Sequence, residues 1–270
     1  FCLVGSEMCI RDRVSSPRKP LFLAPTTAGT GSEVTPVAII TTGETTKAGV
    51  SSPVLLPDVA ILDAALTVGL PAHITAMTGI DAMVHAIEAY TSKIKKNPIS
   101  DMLALRALKL LSENIRTVLT SPEDRTAREA MLLGSMFAGQ AFANAPVGAV
   151  HALAYPVGGH YHIPHGLSNS LMLPAVLNFN AEACPELYAE LAAVLPGAEH
   201  SALGLIDWFK RLITESGLPA TLEQANIPES DLPMLASDAM FQQRLLINNP
   251  REVDEPTALQ LYREAWRGWA

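Results

Sequence analysis

GIDAMVHAIEAY, residues 79–90, carries an aspartate and a histidine four positions apart, Asp81 and His85. Side chains at positions i and i+4 of an α-helix project from the same face, so a helix here presents a carboxylate and an imidazole together. A second stretch, GAVHALAYPVGGHYHIPHG at residues 148–166, places His151 and His165 on either side of a glycine-containing turn that lets the chain fold back. One carboxylate and three imidazoles suit Fe(II), Zn(II) or Ni(II) better than Ca(II) or Mg(II). Taken singly, the aspartate is also compatible with a capping or ion-paired helix carboxylate, and the first histidine with a core residue.

The composition of the chain argues against several classes of protein. Its 270 residues are 49% hydrophobic, which is sufficient for the core of one large domain or two ordinary ones. A formal net charge of −8 and a single short basic run, residues 93–96, argue against nucleic acid as a partner. No stretch reaches the roughly 18 apolar residues of a membrane helix, so we expect no membrane partner. Three cysteines, Cys2, Cys9 and Cys184, are too few for a disulfide framework and indicate a cytoplasmic protein.

The pattern of apolar residues changes along the chain from short strands to helices. Apolar or β-branched runs at residues 21–24, 37–41 and 59–62 predict three strands. From Pro71 onward the apolar spacing is helical, and Ser100 is the predicted N-cap of the first long helix after residue 91. The predicted amphipathic helices cover residues 101–119, 126–143, 200–216, 229–240 and 256–269. The sequence therefore predicts an α/β remnant, with too few strands for a complete sheet, followed by an all-α domain of about 200 residues.

The first 13 residues, Phe1–Arg13, show no usable periodicity. Within them, LVGSEMCIRDR matches one reading frame of a transposase sequencing adapter. A short apolar strand or a signal peptide is the alternative, but the run FCLVG is too short for a signal peptide and no cleavage-site pattern follows it. We interpret residues 1–13 as a non-native adapter translation and expect the natural reading frame to extend further upstream.

The loop PTTAGTGSEVTP, residues 25–36, is rich in glycine and hydroxyl side chains and follows a predicted strand. Backbone N–H groups and hydroxyls in such a loop can contact a phosphate or a ribose. The loop matches neither the G-x-G-x-x-G pattern nor the Walker pattern, so a polar turn is an alternative. Lys47 could neutralise a cofactor phosphate, although a lone lysine is more often a solvated surface residue.

Several motifs, in order and in register, resemble the iron-containing (group III) alcohol dehydrogenase family. They are PTTAGTGSEVT, SPVLLPDVAILD, MTGIDAMVHAIEAY, the H-x3-Y-x9-H block with HIPHG, and the late segment NNPREV. The resemblance covers the chain from about Pro20 to the C-terminus and implies a dehydroquinate synthase-like fold. Residues 14–66 are then the C-terminal part of a Rossmann-like NAD(P)-binding domain, most of which is lacking. Residues 67–270 are an all-helical metal-binding domain.

The resemblance also assigns residues to two sites by position. Fe2+ is the expected metal, with Zn2+ or another divalent ion as alternatives, and its ligands are Asp81, His85, His151 and His165. The residues expected to contact NAD or NADP are Thr26, Thr27, Thr30, Thr35, Ile39 and Lys47. Glu88, three residues after His85, could orient that histidine or be a surface acid.

Two features depart from the family pattern. Many members carry a second histidine four residues after the third ligand, proposed to relay the alcohol proton, and this chain has Tyr155 there. A phenol with a reference pKa of about 10 is a weaker base at neutral pH than an imidazole, so Tyr155 is a candidate relay residue but a poor base.

His162, three residues before His165, is a second catalytic candidate that could reach substrate or nicotinamide. In addition, the family's Gly-Gly-Gly-Ser pyrophosphate loop and the acidic residue that helps choose NAD over NADP are absent.

The function implied by the resemblance is a metal-dependent, NAD(P)-linked alcohol dehydrogenase or aldehyde reductase. Its substrates are small alcohols and aldehydes, and the full-length protein is expected to be a homodimer. A hydroxyacid–oxoacid transhydrogenase and an inactive metal-binding fragment are alternatives on the same scaffold. A lyase of the dehydroquinate synthase type shares this architecture, but it would need more lysine and arginine residues for binding phosphate than the metal-binding region of this chain offers. Because the pyrophosphate loop is absent, we expect the 270-residue chain to lack dehydrogenase activity at ordinary NAD(P) concentrations.

Overall fold

The computed structural model describes residues 18–41 and 47–269, with the backbone alone described at residues 41, 47 and 48. The interpretation of residues 1–13 as an adapter translation lies outside this part of the chain. Among the described residues, no helix combines the length and the apolar character needed to cross a lipid bilayer.

The described strands form two small sheets before residue 61. They are β1 (Phe22–Leu23), β2 (Val37–Thr41), β3 (Lys47–Ser51) and β4 (Val59–Ala60). Strands β1 and β4 pair in parallel, whereas β2 and β3 form an antiparallel hairpin. The three predicted strands are confirmed as β1, β2 and β4. Strand β3 was not predicted, because the sequence KAGVS contains one β-branched residue and a glycine and gives little strand signal.

From residue 72 to residue 269 the chain is mainly helical. The helices are α1 (Ala72–Thr91), α2 (Pro98–Thr120), α3 (Arg125–Asn144), α4 (Ala149–Tyr161), α5 (His165–Ala181), α6 (Pro185–Ala192), α7 (Ala202–Glu215), α8 (Leu232–Ala239), α9 (Gln243–Leu246) and α10 (Glu255–Arg267). The predicted helices are confirmed to within a few residues, with one difference. Residues 229–240 are divided into a 3-10 turn, Glu229–Asp231, and helix α8.

Helix α2 begins before the predicted N-cap. The Asn97 side chain accepts hydrogen bonds from the backbone N–H groups of Ile99 (3.1 Å) and Ser100 (3.0 Å), and Pro98 occupies the first turn. The Ser100 hydroxyl in turn accepts a hydrogen bond from the Asn97 backbone N–H at 3.1 Å. The prediction of Ser100 as N-cap is therefore wrong. Asn97 and Ser100 form a capping box, and Pro98 lies between them at the start of the helix, where proline is favoured.

Helix α1 lies at the centre of the helical part. It is buried from Thr75 to Thr91 except at Thr78, and it packs against α2, α3 and α5. Glycines allow the close approach: a Cβ atom on Gly79 would lie 2.6 Å from the Ile115 side chain. Because a charged or imidazole group inside a protein costs free energy unless it is paired, Asp81, His85 and Glu88 of α1 require partners from other elements or a ligand.

The loop at residues 25–36 packs against α1 and α3. Gly31 has a left-handed φ of 58°, and a Cβ atom there would lie 2.6 Å from the Cα of Gly139 in α3. A Cβ on Gly29 would lie 2.8 Å from the Cβ of Thr78 in α1. Gly31 is therefore required by both its backbone conformation and the space available, and Gly29 by the space available. Both glycines let the loop pack closely against the helices.

The NNPREV segment fixes the start of helix α4. The Asn249 Oδ1 atom accepts hydrogen bonds from the Ala149 backbone N–H at 3.3 Å and from the Asn180 side chain at 2.9 Å. The Asn248 side-chain amide donates to the carbonyl oxygen of Val147 at 3.0 Å. These buried hydrogen bonds hold the first turn of α4 in place.

Candidate metal centre

Three helices bring the predicted metal-ligand residues together. Asp81 and His85 lie one turn apart in the middle of α1, with 2% and 5% of their surface exposed. His151 is in the first turn of α4 and is also buried, at 2%. His165 is the first residue of α5, and its side chain is 36% exposed. The cluster therefore has a buried side on α1 and α4 and an open side at the start of α5.

The close approach of α5 to α1 depends on Gly166. A Cβ atom at this position would lie 2.4 Å from the backbone oxygen of Met77 and 3.4 Å from the Cβ of Asp81. Only a glycine lets the first turn of α5 lie directly on the α1 backbone. This contact brings His165 within reach of Asp81.

The distances within the cluster fit a bound cation. The Asp81 Oδ1 atom lies 3.8 Å from His151 Nε2 and 3.7 Å from His165 Nε2. The ligand atoms of these three residues all lie within 4.8 Å of one another. Metal–ligand bonds of about 2.1 Å in a tetrahedral arrangement separate the ligand atoms by roughly 3.4 Å, so small side-chain movements would complete the site.

His85 lies beside these three residues. Its ring stacks on His151 with a centroid distance of 4.7 Å and on Phe142 at 4.4 Å. In the part of the chain that the structure describes, no hydrogen-bond partner of the buried His85 Nδ1 atom is found. A buried nitrogen without a partner costs free energy. A cation would compensate this cost, so His85 fits the role of a further ligand.

The charges of the cluster also suit a cation. Burial lowers the pKa of His85 to about 3, so its imidazole is neutral at physiological pH and keeps a lone pair. Burial alone would raise the pKa of Asp81, but the surrounding imidazoles and the Asn169 amide lower it below its ordinary value. The cluster therefore combines a carboxylate with a neutral imidazole, the forms in which these groups bind metals.

Glu88 orients His151 and does not pair with His85. Its Oε2 atom lies 2.6 Å from His151 Nδ1, and its Oε1 atom accepts a hydrogen bond from the Val150 backbone N–H at 2.7 Å. Burial lowers the pKa of His151, and the carboxylates of Glu88 and Asp81 together outweigh this effect and raise it. A proton on Nδ1, shared with Glu88, leaves the Nε2 lone pair directed at the cluster.

Asn169 was not anticipated from the sequence, although it lies within the cluster. Its Nδ2 atom donates a hydrogen bond to Asp81 Oδ1 at 2.6 Å and lies 3.2 Å from the Nε2 atoms of both His151 and His165. The signal available in the sequence was its position four residues after His165, which places both residues on one face of α5.

Tyr155 and His162, the two candidate catalytic residues, differ in their surroundings. The Tyr155 ring lies 5.8 Å from the His165 ring between centroids. Burial raises the pKa of the Tyr155 phenol, and the positive charge of Arg244 partly opposes this shift, so the hydroxyl is protonated at neutral pH. His162 is exposed and ends helix α4 with a left-handed φ of 54°. Its neighbour His160 contacts Asp238 of α8 at 2.5 Å.

The predicted cofactor residues lie on the loop, on β2 and on β3. Thr26 and Thr30 are exposed, Thr27 is half-buried, Thr35 is buried, and Ile39 on β2 is 47% exposed. Lys47 begins β3, and its side chain lies outside the described part of the structure. The loop lies against the helix that carries Asp81 and His85, because Gly29 packs on Thr78, two turns before His85 in α1.

Comparisons with known proteins identify the family of this chain. Residues 75–266 match the family model of the C-terminal part of the Fe-containing alcohol dehydrogenases, and residues 4–64 match that of the iron-containing alcohol dehydrogenases. Long-chain-alcohol dehydrogenase 1 of Geobacillus thermodenitrificans is 42% identical over 255 residues, which cover 92% of this chain. The chain spans 64% of the length of that relative.

Two solved structures have the same fold. A crystal structure of 1,3-propanediol oxidoreductase superimposes with a TM-score of 0.88 and 37% identity, covering 94% of this chain and 68% of the other. The sulfoacetaldehyde reductase of Bifidobacterium kashiwanohense, solved in complex with NAD+, superimposes with a TM-score of 0.84 and 31% identity, covering 94% and 67%. The chain belongs to the iron-containing alcohol dehydrogenase family.

Proposed function

We propose that the chain binds a divalent transition-metal ion through Asp81, His85, His151 and His165. The observation that carries the proposal is the convergence of three of these ligand atoms within 4.8 Å of one another in a largely buried cluster. The unpartnered Nδ1 atom of His85 among the described residues supports the fourth position. Fe2+ is the proposed ion, and Zn2+ is the alternative that the same donor set accepts.

We further propose that the protein transfers hydride between a small alcohol or aldehyde and NAD or NADP. The Geobacillus relative is a long-chain-alcohol dehydrogenase, and the Bifidobacterium relative is an aldehyde reductase bound to NAD+. A divalent ion in the cluster supplies Lewis-acid polarisation of the substrate oxygen. The loop at residues 25–36 and the β2–β3 hairpin hold the nicotinamide cofactor, through Thr26, Thr27, Thr30, Thr35, Ile39 and Lys47. The close packing of Gly29 in this loop against Thr78 of α1, two turns before His85, supports a cofactor site next to the metal site.

The residues of the cluster have separate tasks in this reaction. Asp81 would neutralise one of the two charges of a bound divalent ion, which would leave about one positive charge to face the substrate oxygen. Glu88 holds His151 in the tautomer that presents Nε2. Buried walls from α1 and α4 exclude water from one side, and the exposed edge at His165 admits substrate.

Tyr155 is the proposed proton carrier, in place of an imidazole. Its protonated hydroxyl can donate a proton to the product oxygen during aldehyde reduction, and solvent can return the proton because the residue is only half-buried. The positive charge of Arg244 stabilises the transient phenolate. His162, exposed at the end of α4, is proposed to contact substrate or nicotinamide from the solvent side.

A cytoplasmic location and a homodimeric assembly complete the proposal. The described cysteine, Cys184, is a buried free thiol, which suits a reducing compartment. The dimer rests on the family resemblance alone.

Hydride transfer to an aldehyde from reduced nicotinamide mononucleotide, and from NAD(P)H at high concentration, tests the function in this chain. The mononucleotide needs no pyrophosphate contacts, so it probes the reaction centre independently of dinucleotide affinity. We expect aldehyde reduction that a chelator abolishes, that added Fe2+ or Zn2+ restores, and that is absent in Asp81→Ala. Reduction that persists after chelation and in Asp81→Ala would contradict a metal-dependent reaction. Turnover of a hydroxyacid with an oxoacid, without added nicotinamide, would indicate the transhydrogenase instead.

A further inference from the structure

The Asn169 amide lies beside three candidate ligands of the cation site. It lies in α5, one turn after His165, and none of its surface is exposed. Its amide nitrogen donates to the Asp81 carboxylate at 2.6 Å and lies 3.2 Å from the Nε2 atoms of His151 and His165. A single NH2 group therefore faces all three ligand atoms.

The orientation of this amide is set by its neighbours. In the reversed orientation, the Asn169 carbonyl oxygen would face the Asp81 carboxylate, and two acceptors would repel each other at 2.6 Å. With the NH2 group toward the cluster, the Oδ1 atom has no hydrogen-bond partner among the described residues. The contacts to the three ligand atoms must outweigh the cost of this buried, unpaired oxygen.

The amide can order the ligands in two ways. Its N–H donates a charge-assisted hydrogen bond to Asp81, which fixes the rotation of that carboxylate. The second N–H is shared between the Nε2 atoms of His151 and His165. Each imidazole nitrogen can accept it only when it carries no proton, so the contact favours the tautomers whose Nε2 lone pairs face the cluster. These are the forms that a cation binds.

We propose that Asn169 is a positioning residue of the cation site, which aligns Asp81, His151 and His165 without being required to ligate the ion. The inference rests on the proposed cation site. Residues that hold metal ligands in orientation typically contribute about ten- to hundredfold to metal affinity. Asn169→Ala should therefore weaken cation binding by that factor and change the ligand arrangement.

The test is a titration of the full 270-residue chain with Co2+, followed by calorimetry and by the visible absorption of bound Co2+. Four variants are compared with the wild type: Asn169→Ala, Asn169→Asp, Ser170→Ala and Asp81→Ala. Asn169→Asp keeps the side-chain volume but replaces the NH2 donor with oxygen. Ser170→Ala is the matched control, since Ser170 is the next residue of α5, is fully buried and makes no side-chain hydrogen bond within the described structure.

We expect Asn169→Ala to bind Co2+ ten- to hundredfold more weakly than the wild type, with Ser170→Ala within about twofold of it. Both Asn169 variants should change the Co2+ absorption spectrum, which a residue that only fills space would leave unaltered. If Asn169→Ala does not fold, the spectrum of Asn169→Asp decides alone. Unchanged spectra with unchanged affinity would overturn the proposal. Tighter binding by Asn169→Ala would also overturn it, because the amide would then only compete with the ion.

Failure of the underlying function gives a different result. A wild-type chain that binds no Co2+, or binds it as well as Asp81→Ala does, refutes the cation site itself. A wild type that binds Co2+ through Asp81 while the Asn169 variants match it refutes only the positioning role.

Discussion

His151→Ala is expected to lose its bound divalent metal ion during dialysis. The substitution removes an entire ligand, so the loss of affinity should exceed the roughly ten- to hundredfold effect of a residue that only orients a ligand. It also leaves the Glu88 carboxylate, whose side chain is 6% exposed, without its 2.6 Å partner. Such an unpaired buried charge destabilises the site further. Metal content per chain after dialysis, measured by inductively coupled plasma mass spectrometry, gives the outcome, and His165→Ala should behave in the same way.

His160→Ala is the control for this prediction. His160 lies in the same helix, but it contacts Asp238 at 2.5 Å on the side that faces α8. Its removal should leave the metal content unchanged. Wild-type metal content in His151→Ala would refute the site, and metal loss in His160→Ala would show that any damage to α4 releases the ion.

Gly166→Ala is expected to separate helices α5 and α1. The added Cβ would lie 2.4 Å from the Met77 carbonyl oxygen, and a helix backbone cannot move aside as a flexible side chain can. The helices must therefore part by about 1 Å, at a cost of about 1–3 kcal/mol in the free energy of unfolding. A shift of this size also moves His165 away from Asp81, so we expect Co2+ affinity to fall by about two orders of magnitude, as misplacement of about 1 Å does for catalytic groups.

Gly69→Ala provides the matched control, because a Cβ atom at Gly69 has no other atom within 4 Å. Urea denaturation in the presence of a chelator measures the stability of both variants, and a Co2+ titration measures the affinity. Stability and affinity of Gly166→Ala equal to those of Gly69→Ala would contradict the role of the glycine contact in forming the cluster.

The candidate metal site could be predicted from the sequence because two of its residues are local neighbours. The spacing of Asp81 and His85 fixes their shared face once a helix is assumed, and the resemblance to a family supplied His151 and His165. The same helix carries Glu88 one turn after His85. Asp81, His85 and Glu88 therefore form a polar stripe at i, i+4 and i+7 on a buried helix. Such a stripe in a buried helix indicates partners from other helices or a ligand, and the structure provides partners on α4 and α5.

The partner of Glu88 could not be predicted in the same way. Spacing within α1 suggested His85, but the carboxylate reaches across to the start of α4, and this depends on how two distant segments pack. The role of the Asn248–Asn249 pair in fixing that start is likewise a tertiary effect. The N-cap of α2, in contrast, could have been predicted from local sequence. Asn97 followed by a proline is a stronger N-cap signal than Ser100, three residues later.

The roles of the proposed cofactor-binding residues are still predictions, unlike the positions of the helices and strands. The structure describes where Thr26, Thr30 and Ile39 lie and that their side chains are exposed. Exposure alone does not distinguish a cofactor contact from a polar turn, the alternative that the sequence also left open. The close packing of Gly29 and Gly31 against α1 and α3 is the physical reason to prefer a fixed loop beside the cluster.

Anomalous X-ray diffraction from crystals of the chain grown with Co2+ tests the central claim most directly. We predict a single strong anomalous peak about 2.0–2.4 Å from the carboxylate of Asp81 and from ring nitrogens of His85, His151 and His165. A peak bound elsewhere on the chain, with these four side chains unchanged and no density between them, would contradict it.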